Sequence, residues 1–170
     1  MVNTVDQNNQ EQLKTHIRFM ELALKEAEKA LAEEEVPIGA ILVYQNEVIG
    51  RGYNQRERQQ NPIAHAEIKA ITEAATALKR WRLTGTRLYV TLEPCAMCAG
   101  AMVLARIDEV VFATRDPKAG ACGSLWNIAT DLRLNHRLQV VEDICAETSR
   151  QLLRTFFQGQ RQKAKYRPSV

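Results

Sequence analysis

No apolar run in the 170-residue sequence approaches the roughly 20 residues that a membrane-spanning helix needs. Residues 1–12 are polar and lack the basic start and the apolar stretch of a secretory signal. Internal repeats and an obvious linker are absent as well. These absences argue against a membrane protein, a secreted protein and a repeat or two-module architecture.

The sequence has the composition of a globular protein, with 45% hydrophobic residues, 25% charged residues and a net charge of +3. These values predict a single domain with a sizeable core. We expect the domain to span residues 13–165, between a disordered N-terminal arm over residues 1–12 and a flexible C-terminal end over residues 166–170.

Two separate segments, His65-Ala66-Glu67 and Pro94-Cys95-Ala96-Met97-Cys98, carry the side chains of a catalytic zinc site. Two thiolates and a neutral imidazole suit Zn²⁺, and their two negative charges balance the charge of the ion at a buried site. Three protein ligands leave one tetrahedral position for a water molecule, whose pKa falls from about 15.7 to roughly 7 on catalytic zinc. The pattern therefore predicts a hydrolase with one Zn²⁺ per chain.

Glu67 is interpreted as the acid/base group of this site. Residues two apart on a helix point about 200° away from each other, so Glu67 and His65 chelate one ion poorly. Cys95 and Cys98 are three apart and lie on nearly the same face of a helix, and Pro94 fits the start of that helix. The positive end of the helix dipole then favours the thiolate forms that bind metal.

Each segment alone has a simpler interpretation. His65 could be a helix histidine with satisfied hydrogen bonds, and the two cysteines could form a structural zinc knuckle or a redox pair. Cys122 could add a fourth ligand and make the zinc structural. If two of the four cysteines bind metal, the others favour a reducing compartment, and we expect a cytoplasmic protein.

Apolar periodicity alternates between helix and strand along the chain. Helices are predicted over residues 16–35, 64–80, 95–106 and 145–165, and strands over residues 40–44, 47–53, 87–92, 110–113 and 138–142. Asn61 and Pro62 are expected to be the N-cap and the first residue of the second helix. This order predicts an α/β domain with helices on both faces of a mixed sheet and the site at the strand ends.

The same residues resemble the zinc-dependent nucleobase deaminases, whose pattern is His-x-Glu followed by Pro-Cys-x-x-Cys. Among these proteins, the chain is similar to the bacterial tRNA-specific adenosine deaminases over residues 19–162. Further segments that carry the resemblance are residues 35–40 (Glu-Val-Pro-Ile-Gly-Ala), 52–54 (Gly-Tyr-Asn), 92–95 (Leu-Glu-Pro-Cys), 115–120 (Arg-Asp-Pro-Lys-Ala-Gly) and 123–125 (Gly-Ser-Leu).

The resemblance implies a three-layer αβα cytidine-deaminase-like fold with a mixed five-stranded sheet, and a homodimer. It also implies hydrolytic deamination of adenosine to inosine at the wobble position of tRNA, most naturally arginine tRNA, with ammonia released and Glu67 carrying protons. Asn54 and the backbone of Ala66 are expected to hold the flipped nucleotide, and Val36 to line the base pocket. Three further positions are expected near the substrate nucleotides: Asp116, Lys118 and Asn135.

The carboxyl end of the sequence predicts contact with an anticodon stem-loop. The charged residues after Glu147 are all basic: Arg150, Arg154, Arg161, Lys163, Lys165 and Arg167. Together with Phe156 and Phe157 they could combine phosphate contacts with stacking on unpaired bases. The alternative is a solvated helix face over a phenylalanine-filled core.

Two rival functions use the same metal ligands. A deaminase of free guanine, cytosine or cytidine would share the whole metal site, so only the basic end and residues 115–118 argue against it. A non-catalytic zinc-stabilised RNA-binding module would have no reason to place Glu67 beside an open zinc position.

Overall fold

Five strands and five helices follow one another along the part of the chain that the structure describes. This structure is a computed structural model that describes residues 4–165. The elements are α1 (Thr4–Ala32), β1 (Gly39–Tyr44), β2 (Glu47–Tyr53), α2 (Arg56–Gln59), α3 (Ala66–Leu78), β3 (Thr86–Val90), α4 (Ala96–Ala105), β4 (Glu109–Phe112), β5 (Gln139–Val141) and α5 (Ala146–Lys165). No helix within these residues is long and apolar enough to cross a membrane.

The strands form one mixed sheet in the order β2-β1-β3-β4-β5. β1 pairs antiparallel with β2 and β3, whereas β3, β4 and β5 run parallel to one another. The start of β1 therefore lies at the same sheet end as the carboxyl ends of β3 and β4, as the pairing of Ala40 with Val90 shows. The predicted mixed five-stranded α/β architecture is confirmed.

Alternate strand residues face two separate apolar cores. Leu88 and Val90 of β3 are buried with α3 and α4 on one face of the sheet. Tyr89 faces the other way and is buried with Phe19 and Met20 of α1. This alternation follows from the two-residue period of a strand, and it makes the domain a three-layer αβα structure.

Close packing of α3 on β2 sets the position of the site. A Cβ atom at Gly52 would lie 2.2 Å from the carbonyl oxygen of Ala66, and one at Gly50 would lie 2.2 Å from that of Ala70. The helix presents small side chains to the strand, since Ala66, Ala70 and Ala74 are all buried. The start of α3, which carries His65 and Glu67, is thereby held against the end of β2.

The structure differs from the sequence prediction at two helix starts. The polar arm expected to be disordered over residues 1–12 is helical from Thr4 onward, since no glycine or proline interrupts the chain between Thr4 and Ala32. Asn61 and Pro62 do not begin α3, which starts at Ala66 with His65 as its N-cap. The Asn61 side chain instead accepts a hydrogen bond from the backbone N–H of Ile63 and closes a turn. The end predicted to be flexible, residues 166–170, lies outside the described residues.

Candidate active site

A cleft of about 380 Å³ opens at the sheet end where β3 and β4 finish and β1 begins. Its lining residues come from both sides of the sheet end and from α5: Val36, Ile38, Asn54, Arg56, His65, Ala66, Glu67, Leu92, Glu93, Cys95, Arg115, Asp116, Pro117, Lys118, Ala119, Leu153 and Phe157. The predicted location at the strand ends agrees with this arrangement.

Two helix N-termini bring the three metal-binding side chains together. His65 is the N-cap of α3 and Cys95 is the N-cap of α4. The Nδ1 atom of His65 lies 3.7 Å from Sγ of Cys95 and 3.6 Å from Sγ of Cys98. One imidazole and two thiols converging at these distances suit a tetrahedral zinc ion that binds through Nδ1 and both sulfurs.

Cys122 does not join this donor group. Among the described residues, His65, Cys95 and Cys98 are the set whose ligand atoms all lie within 4.8 Å of one another. Cys122 is buried nearby, and its burial raises the pKa of the thiol to about 12. The fourth-ligand alternative is therefore not supported, and the donor set leaves a coordination position for water or substrate.

The hydrogen bond from Cys98 makes Cys95 the more acidic of the two thiols. The thiol of Cys98 donates to Cys95 and, with His65, lowers the pKa of Cys95 to about 3, while that of Cys98 is raised. The hydrogen bond between His65 and Cys95 raises the pKa of His65 above its ordinary value. A divalent cation among these groups would favour both thiolates, so metal binding releases protons here.

Glu67 lies beside the donors and is almost inaccessible, with 4% of its surface exposed. Burial raises the pKa of Glu67 above its ordinary value, because water no longer stabilises the charged form. A carboxyl group with a raised pKa, positioned next to a metal site in a cleft, is suited to accept and return a proton.

Glu93 is also buried, but it organises one wall of the cleft. Its carboxylate accepts hydrogen bonds from the backbone N–H groups of Asp116, Cys122 and Ser124, and from the Ser124 hydroxyl. Burial by itself raises the pKa of Glu93, but these donors outweigh it and hold the pKa below its ordinary value. Glu93 therefore stays ionised and fixes the loop of residues 115–124 against the site.

Asn54 also lines the cleft. Its backbone N–H donates to the carbonyl oxygen of Ile38, and its Nδ2 donates to Oε2 of the buried Glu35 at 3.1 Å. Sequence reasoning assigned no role to either Glu35 or Glu93. The one available signal was a carboxylate flanked by apolar residues, as in Leu92-Glu93-Pro94.

Most residues predicted to bind substrate do surround the cleft. Val36, Ala66, Asp116 and Lys118 line it, and Phe157 reaches it from α5 with 46% of its surface exposed. Sequence analysis missed the contribution of Arg56 from α2, because its charge has no periodic or motif context.

Asn135 does not line this cleft, so its expected place near the substrate nucleotides stays a prediction that rests on the resemblance alone. Its Oδ1 accepts a hydrogen bond from Arg106, which caps the carboxyl end of α4. Cys95 caps the opposite end, and a helix of this length spans about 15 Å. Asn135 instead lines a second groove with Gly100 and Leu104.

The basic residues of α5 are partly neutralised within the chain. Arg150 and Arg154 contact Glu147, and Lys163 contacts Glu34 at 2.6 Å. Phe156 and Phe157 meet edge to face, with ring centroids 5.3 Å apart. The described part of α5 therefore brings Phe157 to the cleft, while much of its positive charge is engaged in ion pairs.

Known proteins match both the sequence and the fold. The family model described as "Cytidine and deoxycytidylate deaminase zinc-binding region" matches residues 13–114. The tRNA-specific adenosine deaminase of Bacillus subtilis is 50% identical over 147 residues, which are 86% of this chain and 91% of that protein. That of Haemophilus influenzae is 44% identical over 149 residues, with 87% and 86% covered.

A solved structure described under "A-to-I Editing by tRNA:A34 Deaminases at the Wobble Position of Transfer RNA" superposes with a TM-score of 0.77. It is 43% identical and covers 80% of this chain and 99% of its own. Since these matches span most of the chain and include the zinc-binding region, the protein belongs to the cytidine and deoxycytidylate deaminase family, in the group of the tRNA-specific adenosine deaminases.

Proposed function

We propose that the protein converts adenosine to inosine at the wobble position of tRNA by hydrolytic deamination and releases ammonia. The observation that carries this proposal is the buried Glu67 carboxyl group, which lies beside three converging zinc-binding side chains at the floor of a cleft. The relatives from Bacillus subtilis and Haemophilus influenzae, which match most of the chain, are named tRNA-specific adenosine deaminases.

The reaction adds the oxygen of water to C6 of adenine and breaks the bond from C6 to the amino nitrogen. Zinc held by His65, Cys95 and Cys98 would supply a Lewis acid that makes water acidic near neutral pH. Glu67 holds the proton that comes from water and delivers it to the ring nitrogen next to C6. The same carboxyl group then takes the second proton of the water from the oxygen added to C6 and gives it to the amino nitrogen, which leaves as ammonia while the oxygen becomes the carbonyl oxygen of inosine.

The walls of the cleft would hold the flipped nucleotide. Val36 supplies an apolar contact for the base, while Asn54 and the backbone of Ala66 supply polar contacts. Exclusion of water from this narrow space would strengthen each polar contact and protect the proton on Glu67.

The rim of the cleft would bind the anticodon stem-loop. Arg56 and Lys118 line it, and neither forms an ion pair with another described residue. Asp116 accepts a hydrogen bond from the backbone N–H of Lys118 and shapes this part of the rim. Phe157 offers a partly exposed ring on which an unpaired base can stack.

Incubation with unmodified arginine tRNA that carries adenosine at position 34 tests the proposal, with mass analysis of the nucleosides. The same tRNA with guanosine at that position is the matched control, and free adenosine, cytidine and guanine are alternative substrates. We expect inosine only in the first RNA. Turnover of a free nucleoside or base alone would instead identify the protein as a deaminase of small molecules.

We also propose that the protein is a homodimer. A second groove is lined by the exposed apolar side chains of Leu104, at 72% exposure, and Leu134, at 39%. Leu132, at 79% exposure, lies two residues before Leu134 in the chain. Trp126 and Leu125 are exposed as well. Exposed apolar side chains that line one groove indicate a protein contact, and a second copy of the chain is the partner that we favour.

Sedimentation at micromolar concentration tests this assembly. Changing both Leu104 and Leu132 to Glu should convert a dimer into a folded monomer, whereas Leu13→Glu, an exposed position on α1, should leave the dimer intact. A monomeric wild-type protein would contradict the proposal.

A cytoplasmic location is proposed too, because the substrate is tRNA and the metal-binding thiols must stay reduced.

A further inference from the structure

Glu35 forms a buried link between the cleft wall and helix α2. Its side chain is 2% exposed and follows the end of α1. Oε1 accepts a hydrogen bond from the backbone N–H of Arg58 at 2.7 Å, and Oε2 accepts one from Nδ2 of Asn54 at 3.1 Å. Each oxygen atom of the Glu35 carboxylate thus accepts one hydrogen bond, Oε1 from α2 and Oε2 from Asn54.

This arrangement determines which way the Asn54 carboxamide is turned. An ionised carboxylate only accepts hydrogen bonds, so Asn54 must direct its NH₂ group, and not its oxygen, toward Glu35. Among the described residues, no donor reaches Oδ1 of Asn54, and Oδ1 is not one of the fully buried unpaired atoms. Since Asn54 lines the cleft, its oxygen is left accessible there.

We propose that Glu35 is a positioning residue that makes Asn54 present a hydrogen-bond acceptor to the nucleotide. The cleft then selects a nucleotide that offers a hydroxyl or N–H donor at this wall. This inference depends on the deaminase activity proposed above, and it adds to that activity a determinant of how the substrate is recognised.

Glu35→Gln tests the orientation because it replaces one acceptor with a donor of nearly the same size. The backbone N–H of Arg58 cannot turn around, so the remaining oxygen of Gln is needed there. The amide NH₂ of Gln then faces Asn54, whose carboxamide must rotate by half a turn to offer its oxygen. The cleft would receive NH₂ in place of an acceptor, and we expect kcat/KM to fall by about ten- to a hundredfold.

Exchanging the two groups should restore the acceptor. In the double variant Glu35→Gln with Asn54→Asp, the Gln amide donates to one oxygen of Asp, and the other oxygen faces the cleft. The double variant also keeps the total charge of the pair. We expect it to recover at least tenfold in kcat/KM over Glu35→Gln, a coupling that a purely structural role of Glu35 would not produce.

Glu73→Gln is the matched control. Glu73 likewise accepts a hydrogen bond from a backbone N–H, that of Arg51, but it lies outside the cleft and Gln can keep this bond. All four proteins are compared by single-turnover deamination of the same anticodon stem-loop, with zinc content and thermal unfolding measured in parallel. The control should match the wild type in rate.

The proposal would be overturned if Glu35→Gln reacted as fast as the wild type. It would also be overturned if Glu35→Gln lost activity and the double variant Glu35→Gln with Asn54→Asp did not recover it, or if that double variant folded but was inactive. Should Glu35→Gln alone fail to fold, the exchanged protein remains the test, since it must fold and turn over within about tenfold of the wild type. An inactive wild-type protein with bound zinc would contradict the proposed function itself.

Discussion

Both faces of the sheet bury polar side chains, but only one set is connected to the cleft. At the cleft end, Glu67, Glu93 and Glu35 are each buried within or directly behind its walls. On the α1 face, His16 bonds through Nδ1 to the hydroxyl of Tyr89 at 3.1 Å, and neither residue lines the cleft.

This difference shows that burial alone does not assign a role to an ionisable group. Glu67 and Glu93 are similarly inaccessible, yet burial raises the pKa of Glu67 while four donors keep that of Glu93 low. On the α1 face, burial lowers the pKa of His16, and its Nε2 has no partner among the described residues. We expect changes at the cleft end to alter turnover and changes on the α1 face to alter stability.

The largest effect is expected from Cys98→Ser. Loss of one of three protein ligands should remove zinc from the purified protein and reduce deamination to background, because the site then holds only two strong donors. Cys122→Ser should keep both zinc and activity. Metal analysis beside the deamination assay checks both variants, and zinc loss from Cys122→Ser would revive the four-ligand interpretation.

A smaller effect is expected at the rim. Changing Arg56 and Lys118 together to Glu should weaken binding of the anticodon stem-loop by roughly tenfold and flatten the dependence of log affinity on log salt by about 0.7 per lost contact. Changing Lys14 and Lys25 together to Glu, both on the exposed surface of α1, is the charge-matched control. Fluorescence titration over a range of salt concentrations measures both quantities. Unchanged affinity and slope would place the RNA on another surface.

The smallest effect on turnover is expected from His16→Phe. Burial lowers the pKa of His16 below its ordinary value of 6.5; the nearby Glu109 carboxylate raises it by less, and Arg87 adds a smaller lowering effect. In the unfolded chain His16 has its ordinary pKa, so as the pH falls below 6.5 the unfolded chain binds a proton before the folded protein does. The neutral His16 therefore contributes its full stability above pH 6.5, and this contribution is lost as the pH falls.

Denaturant unfolding between pH 8 and pH 5 measures this contribution. The wild type should lose stability with acidification more steeply than His16→Phe, while kcat at neutral pH should be unchanged in the variant. Equal pH dependence in the two proteins would mean that His16 is not the group responsible. A large fall in kcat would contradict the expectation that changes on the α1 face alter stability and not turnover.

The chemistry of the site was more predictable from sequence than its surroundings. His65, Cys95 and Cys98 were identifiable because a metal restricts which side chains can bind it, and the structure brings all three together. The strands were identifiable from their apolar residues. In contrast, the start of α3 depends on tertiary packing against Gly52, which outweighed the local preference of Asn61 and Pro62 for a helix start.

Long-range partners account for the remaining differences. Glu35 and Glu93 acquire their roles from backbone N–H groups far along the chain, and no local pattern encodes such pairs. Asn135 was placed near the substrate by resemblance alone, and the structure places it beside Arg106 at the other end of α4.

The rate of the Glu67→Gln variant tests the central claim most directly. Gln keeps the size and polarity of the side chain but cannot carry a proton. With zinc content and thermal stability matched to the wild type, single-turnover inosine formation on the adenosine-34 stem-loop should be slower by at least about a hundredfold. A rate within about tenfold of the wild type at equal zinc content would contradict the role of Glu67 as the proton carrier.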